Sequence, residues 1–148
     1  MRWRFADRII AFEPWARVAG RKAVSLEEYQ LLDPLGREGV CPESLLLECC
    51  VEHVRWLVAA SSGFQEACVL EEVEEFKFAG EAGMGAVLEV AAELSGTRRD
   101  GPIEAACRIT CSGRELAAGR LRVGLVPLAE GFDPELTESL WRELHGAT

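Results

Sequence analysis

Any chemistry this chain performs would turn first on Glu48. It closes the string Cys41-Pro42-Glu43-Ser44-Leu45-Leu46-Leu47-Glu48, where a loop punctuated by Pro34, Gly36 and Gly39 feeds an almost wholly apolar helix. A carboxylate in the second turn of such a helix is either part of a solvated edge or a site residue held against a substrate. Glu48, Glu52 and Arg55 recur at i, i+4 and i+7 and so share one narrow stripe. Asp33, in the loop, is either a cap for that loop or a substitute base. The chain has 2 histidines. His53 shares the Cys49/Trp56/Leu57 side of the helix and is expected to pack there; His145, near the C-terminus, is expected at the surface. Cys49 and Cys50 are adjacent on the helix and point apart, as core residues do. Cys107, Ile109 and Cys111 share one strand face and are also expected in the core. No set of His and Cys has zinc spacing, so neither metal nor other cofactor is expected.

The elements that position these residues follow from pattern. Asp7–Phe12 and Arg17–Val24 are two predicted strands, and Ser25–Val40 has no clean period; a loop of that length is usually functional or mobile. Pro42 marks a helix start, with Glu43 near the positive end of the helix dipole. That helix, apolar nearly all round, is a buried helix ending at Ser61-Ser62-Gly63. Strands are predicted over 67–78, 86–94, 103–111 and 114–126, with a turn at Asp100-Gly101-Pro102 and a tight hairpin at Ser112-Gly113. Asp133 as N-cap and Pro134 behind it open an amphipathic terminal helix with Leu136, Leu140, Trp141 and Leu144 on its apolar face. The expected architecture is one α+β domain over residues 1–148, an antiparallel sheet wrapped around a central helix. Its core spans 5–128 and an added helix spans 132–145. A sheet alone would leave part of so apolar a helix bare, which favours a dimer.

Composition narrows the partners. With 148 residues, 28% of them charged, the chain is long enough for a proper core and not disordered in composition. A net charge of −9, with Arg21-Lys22 and Arg98-Arg99 as its adjacent cation pairs, argues against nucleic acid. No apolar run approaches the roughly 18 residues of a membrane span. Six cysteines without an apolar leader favour the reducing cytoplasm. The run Glu71-Glu72-Val73-Glu74-Glu75 is expected to be a solvated strand edge.

Several strings, in order, resemble the hot-dog-fold (3R)-hydroxyacyl-acyl-carrier-protein dehydratases. Asp7-Arg8-Ile9-Ile10-Ala11-Phe12-Glu13-Pro14 is similar to that family's opening D-R-V-L-x-x-x-P. Cys41–Glu48 is similar to its helix entry M-P-G-V-L-I-I-E, and Phe76-Lys77-Phe78 through Gly85 resembles a third string, with the prolines absent. The resemblance implies a hot-dog fold and acyl thioesters on acyl carrier protein or coenzyme A. It implies Glu48 as the catalytic acid and a substrate-binding set of Gly36, Arg37, Cys41, Glu43 and Glu52. It also implies a homodimer, or a heterodimer with another hot-dog protein. Asp33 stands where the family has its catalytic His, Glu43 replaces the glycine whose N–H holds the thioester carbonyl, and Glu52 replaces the usual Gln.

These departures bear on the reaction. Dehydration needs a base for the α-proton, an acid for the leaving hydroxide and donors for an enolate-like oxygen. An aspartate of pKa near ~3.9 is a poor base beside imidazole, and losing one partner costs about 10²–10⁴ in rate. Glu43 adds negative charge where an oxyanion would form. Three readings stay open: a divergent dehydratase using Glu48 with Asp33 or a base from a partner chain, a non-catalytic subunit that pairs with an active hot-dog homologue or binds an acyl thioester without turnover, and a thioesterase. Hydrolysis can proceed with one carboxylate activating water.

Overall fold

A computed structural model describes residues 5–24, 40–95 and 102–146. Asp33, Gly36, Arg37 and the turn at Asp100-Gly101 lie outside these described residues. Six strands and two α-helices lie along them, with a 3-10 turn at Leu128–Glu130. They are β1 (Arg8–Glu13), β2 (Arg17–Ala23), α1 (Glu43–Ser61), β3 (Glu66–Phe78), β4 (Val87–Ser95), β5 (Ile103–Cys111), β6 (Arg114–Pro127) and α2 (Pro134–His145). The strands form one sheet in the order β1-β2-β4-β5-β6-β3, every neighbour antiparallel. Each predicted strand is present, displaced by no more than a residue or so at its ends.

Alternation aims one side of the sheet at α1. Val18, Gly20, Lys22 and Val24 are the buried positions of the β2 stretch, and Leu88, Val90 and Ala92 those of β4. The hairpin between β5 and β6 turns on Ser112 (φ 50°) and Gly113 (φ 79°), two successive left-handed residues as a twisted two-residue hairpin requires.

Pro42 sits just before α1 with extended backbone (φ −58°, ψ 144°), and its carbonyl accepts from Leu45 and Leu46 N–H at 3.0 and 3.2 Å. Ten of the helix's 19 residues are buried within one chain, Leu46, Cys50, Val54 and Leu57 among them. Leu47, Trp56 and Ala60 of the same helix stay half-buried in one chain. Besides the sheet, α2 covers part of α1. Trp141 stands edge-on to Phe12 at 5.0 Å and lies 5.9 Å from Trp56.

Asp133 caps α2 as expected, accepting from the N–H of Glu135 and Leu136 at 3.0 and 3.4 Å. Its apolar face is rotated from the expected one. Trp141 and Leu144 are buried and Leu140 is half-buried, but Leu136 remains 53% exposed. Docking on Phe12 and Trp56 fixes the rotation, which the spacing of leucines alone does not. The acidic run of β3 is more than a solvated edge. Arg122 meets Glu72 and Glu74 at 3.0 and 2.9 Å, and Arg120 meets Glu75 at 3.0 Å, so arginines of β6 offset much of its charge. Among the described residues no helix is long and apolar enough to cross a membrane.

Candidate functional site

The beginning of α1 is stitched to the chain beyond β3. Cys41 N–H donates to the Ala82 carbonyl at 2.7 Å, Val40 bridges Gly83, and Ala79 N–H donates to the Leu116 carbonyl at 2.8 Å. Between these strips opens a cleft of about 370 Å³, lined by Val40, Cys41, Glu43, Leu46, Phe78, Ala79, Gly80 and Glu81. The structure thus brings together two expected site residues, Cys41 and Glu43. Cys41 is buried, with its thiol directed at the Pro42 carbonyl (3.8 Å), whereas Glu43 is exposed. Glu43 and Glu81 give the cleft negative character. An anionic carbonyl oxygen gains nothing from either carboxylate.

The stripe of Glu48, Glu52 and Arg55 forms the less buried side of α1, as its spacing predicts: Glu48 and Glu52 are half-buried and Arg55 is exposed. The two carboxylates differ in what they touch. Glu52 accepts the backbone N–H of Phe5 at 3.0 Å and so anchors the chain leading into β1. Glu48 makes no hydrogen bond or ion pair with a described residue. It lines neither the cleft nor a second, smaller groove where Glu52 is found. That groove, about 220 Å³, lies between the later turns of α1, the start of β3 and α2.

The two histidines differ in their surroundings. His53 is fully buried, its Nδ1 2.6 Å from the Cys49 carbonyl oxygen. A carbonyl only accepts, so Nδ1 carries the proton and Nε2 is a bare acceptor, without a partner and pressed against Gly20. Burial lowers the His53 pKa to about 4, outweighing the Cys49 carbonyl and the Asp7 carboxylate, which both raise it. His145 is exposed and stacks on Trp141 at 4.9 Å. The cysteines are core groups as expected, except that Cys111 is only half-buried. The Cys50 thiol is pushed up by its contact with Cys107 and by burial, and burial takes Cys68 up to about 11 against the Arg55 cation. Thiols of this kind are not nucleophiles at neutral pH.

Lys22 escaped the sequence reading. It is 5% exposed and borders a small void with Val24, Cys41, Leu45 and Cys49, beside the first turns of α1. The alternation of Val18, Gly20 and Val24 carries this signal, but a charged residue in a strand invites assignment to the solvent face. A further depression, about 580 Å³, is a trough floored by Ala91, Ala106 and Ala118 and rimmed by charges such as Glu75 and Arg120. It contains no candidate site residue. Among the described residues no cluster of three His, Cys, Asp or Glu could hold a metal.

No protein-family model and no curated protein sequence matches the chain. Solved structures do. A hypothetical thioesterase of Streptococcus pneumoniae with coenzyme A aligns at TM-score 0.64 and 15% identity, over 81% of this chain and 85% of the other. A Thermus thermophilus hypothetical protein, a thioesterase superfamily member, aligns at 0.66 and 18% over 90% and 93%. The chain has the hot-dog fold. The fluoroacetyl-CoA thioesterase FlK shares it too, at TM-score 0.66 and 12% identity over 82% and 93%. Hot-dog architecture, with a six-stranded sheet around α1 and an added C-terminal helix, is thus as expected. The narrower expectation of a dehydratase is not supported, because these neighbours are thioesterase proteins. The strings around Asp7–Pro14 and Cys41–Glu48 mark the entry to β1 and to α1. Such strings report how a hot-dog fold starts its elements, not which reaction it performs.

Proposed function

We propose that this hot-dog protein binds acyl-coenzyme A thioesters and hydrolyses them, with Glu48 as the carboxylate that activates water. The observation that carries the reading is the contrast on α1: Glu48 makes no hydrogen bond or ion pair with a described residue, while His53 is sealed in the core against the Cys49 carbonyl. The coenzyme A thioesterase neighbours agree with it. Glu48 takes a proton from water as its oxygen attacks the thioester carbonyl carbon. The tetrahedral intermediate expels the thiolate, which recovers that proton, leaving a carboxylic acid and a thiol. Dehydration by the lone chain lacks an imidazole base. Gly36, Arg37, Cys41 and Glu43 are assigned to substrate binding, Cys41 and Glu43 lying at the start of α1.

The working unit in this reading is a dimer joined through β3. β3 has no strand on its outer side among the described residues and exposes Val69 and Val73, while Arg120 and Arg122 temper its carboxylates. The opposite edge is blunted by a bulge between Ile9 and Ala11 and by α2 packing on Phe12. The test is thiol release from short acyl-coenzyme A by the wild type and by Glu48→Gln. Turnover that disappears in the variant is expected; turnover surviving in Glu48→Gln, or none in the wild type, contradicts the reading.

A further inference from the structure

We propose that Cys41 is a specificity-determining residue: it ends the cleft at the start of α1 and so limits the length of acyl chain that the cleft takes. The inference rests on the acyl-coenzyme A reading above and assigns the cleft to the hydrocarbon end of that substrate. Charge decides which end enters. Apart from Glu43 and Glu81, the side chains lining the cleft of about 370 Å³ are apolar or small, and none of these described residues is a cation. Arg114 approaches Gly80 without lining the cleft. The phosphates of coenzyme A would meet carboxylates there, whereas an uncharged acyl chain meets Val40, Leu46 and Phe78.

Behind the cleft lies the void bordered by Lys22, Val24, Leu45, Cys49 and Leu88, too small to hold a water molecule. Cys41 is the one described residue common to both linings. The first turns of α1 divide around it, Leu45 lining the void and Leu46 the cleft. Backbone contacts hold Cys41 in this partition. Its N–H donates to the Ala82 carbonyl at 2.7 Å, and Val40 before it bridges Gly83. Cys41 is 5% exposed, its thiol 3.8 Å from the Pro42 carbonyl oxygen. With the backbone pinned, the side chain at this position sets whether the two spaces join. A smaller one lets a chain end pass toward Val24 and Leu45; a larger one shortens the cleft.

Coenzyme A thioethers with straight alkyl chains of increasing length cannot be hydrolysed, so they read the cleft without turnover. They are titrated by calorimetry into the wild type, Cys41→Ala, Cys41→Met and Cys49→Ala. In the wild type Kd should fall roughly fourfold per added methylene and stop falling at one chain length. Cys41→Ala should move that stop about one or two carbons longer, and Cys41→Met should move it shorter. Cys49→Ala enlarges the void without opening the partition and should leave the stop in place. The same stop in both Cys41 variants, or a stop that also moves in Cys49→Ala, overturns the role of Cys41. Failure of every thioether to bind the wild type overturns the acyl-coenzyme A reading itself.

Discussion

Glu48 and Glu52 stand one turn apart on the same stripe of α1, equal in type and similar in burial, yet the fold treats them differently. Glu52 is tied to the Phe5 backbone and fixes the approach to β1. Glu48 has no such tie. The same division separates His53, sealed between α1 and β2, from the wetter side of the helix that carries Glu48. A side chain tied into the structure resists change through stability. One without a protein partner is available to a substrate, and its loss should be felt in rate alone.

The largest expected effect sharpens that contrast. Glu48→Gln should lower kcat for thioester hydrolysis by about 10²–10⁴ while leaving the urea midpoint unchanged; Glu52→Gln should do neither to that extent. Next comes a pH effect from His53. Its folded pKa is about 4, against an ordinary 6.5. The stability from keeping it neutral is complete above pH 6.5. As pH falls below that, the unfolded chain takes a proton that the folded chain refuses. Stability then drops by about 1.4 kcal/mol per pH unit, levelling off below about pH 4. In urea titrations at several pH values, His53→Leu should remove that slope, and an unchanged slope would disprove the dry histidine. Gly20→Ala follows, because a Cβ there meets His53 Nε2 and lies 2.7 Å from the Arg8 carbonyl oxygen. A loss of about 1–3 kcal/mol is expected from such overpacking, and a neutral result in thermal melts would mean that α1 and β2 are less tightly apposed. The smallest effect is that of Glu52→Ala. It should cost about 1–2 kcal/mol for the hydrogen bond to Phe5 and loosen amide protection near β1 without changing kcat.

Much of this architecture was legible in the residues. Pro42, the Asp133-Pro134 cap and the Ser112-Gly113 hairpin are local signals, and local signals fix where elements begin and end. The buried character of α1 was equally plain from its apolar circumference. What escaped depends on contacts distant in sequence. Leu136 and Trp141 compete for the inner face of α2, and only docking on Phe12 and Trp56 decides for Trp141. Lys22 obeys the alternation of β2, but its charge obscured the inward position. The contrast between Glu48 and Glu52 was invisible because a stripe of polar residues does not say which one finds a backbone N–H to hold. The expected roles of Asp33, Gly36 and Arg37 fall outside the described residues. The dehydratase strings coincide with the starts of β1 and α1, elements that the hot-dog neighbours share.

The central claim, hydrolysis in place of dehydration, is tested most directly by product identity. A short 3-hydroxyacyl-coenzyme A is incubated with the protein and with Glu48→Gln, and the products are weighed by mass spectrometry. The account predicts free coenzyme A and the intact 3-hydroxy acid from the wild type, and unchanged thioester from the variant. An enoyl thioester, formed by loss of water with the thioester bond preserved, would contradict it.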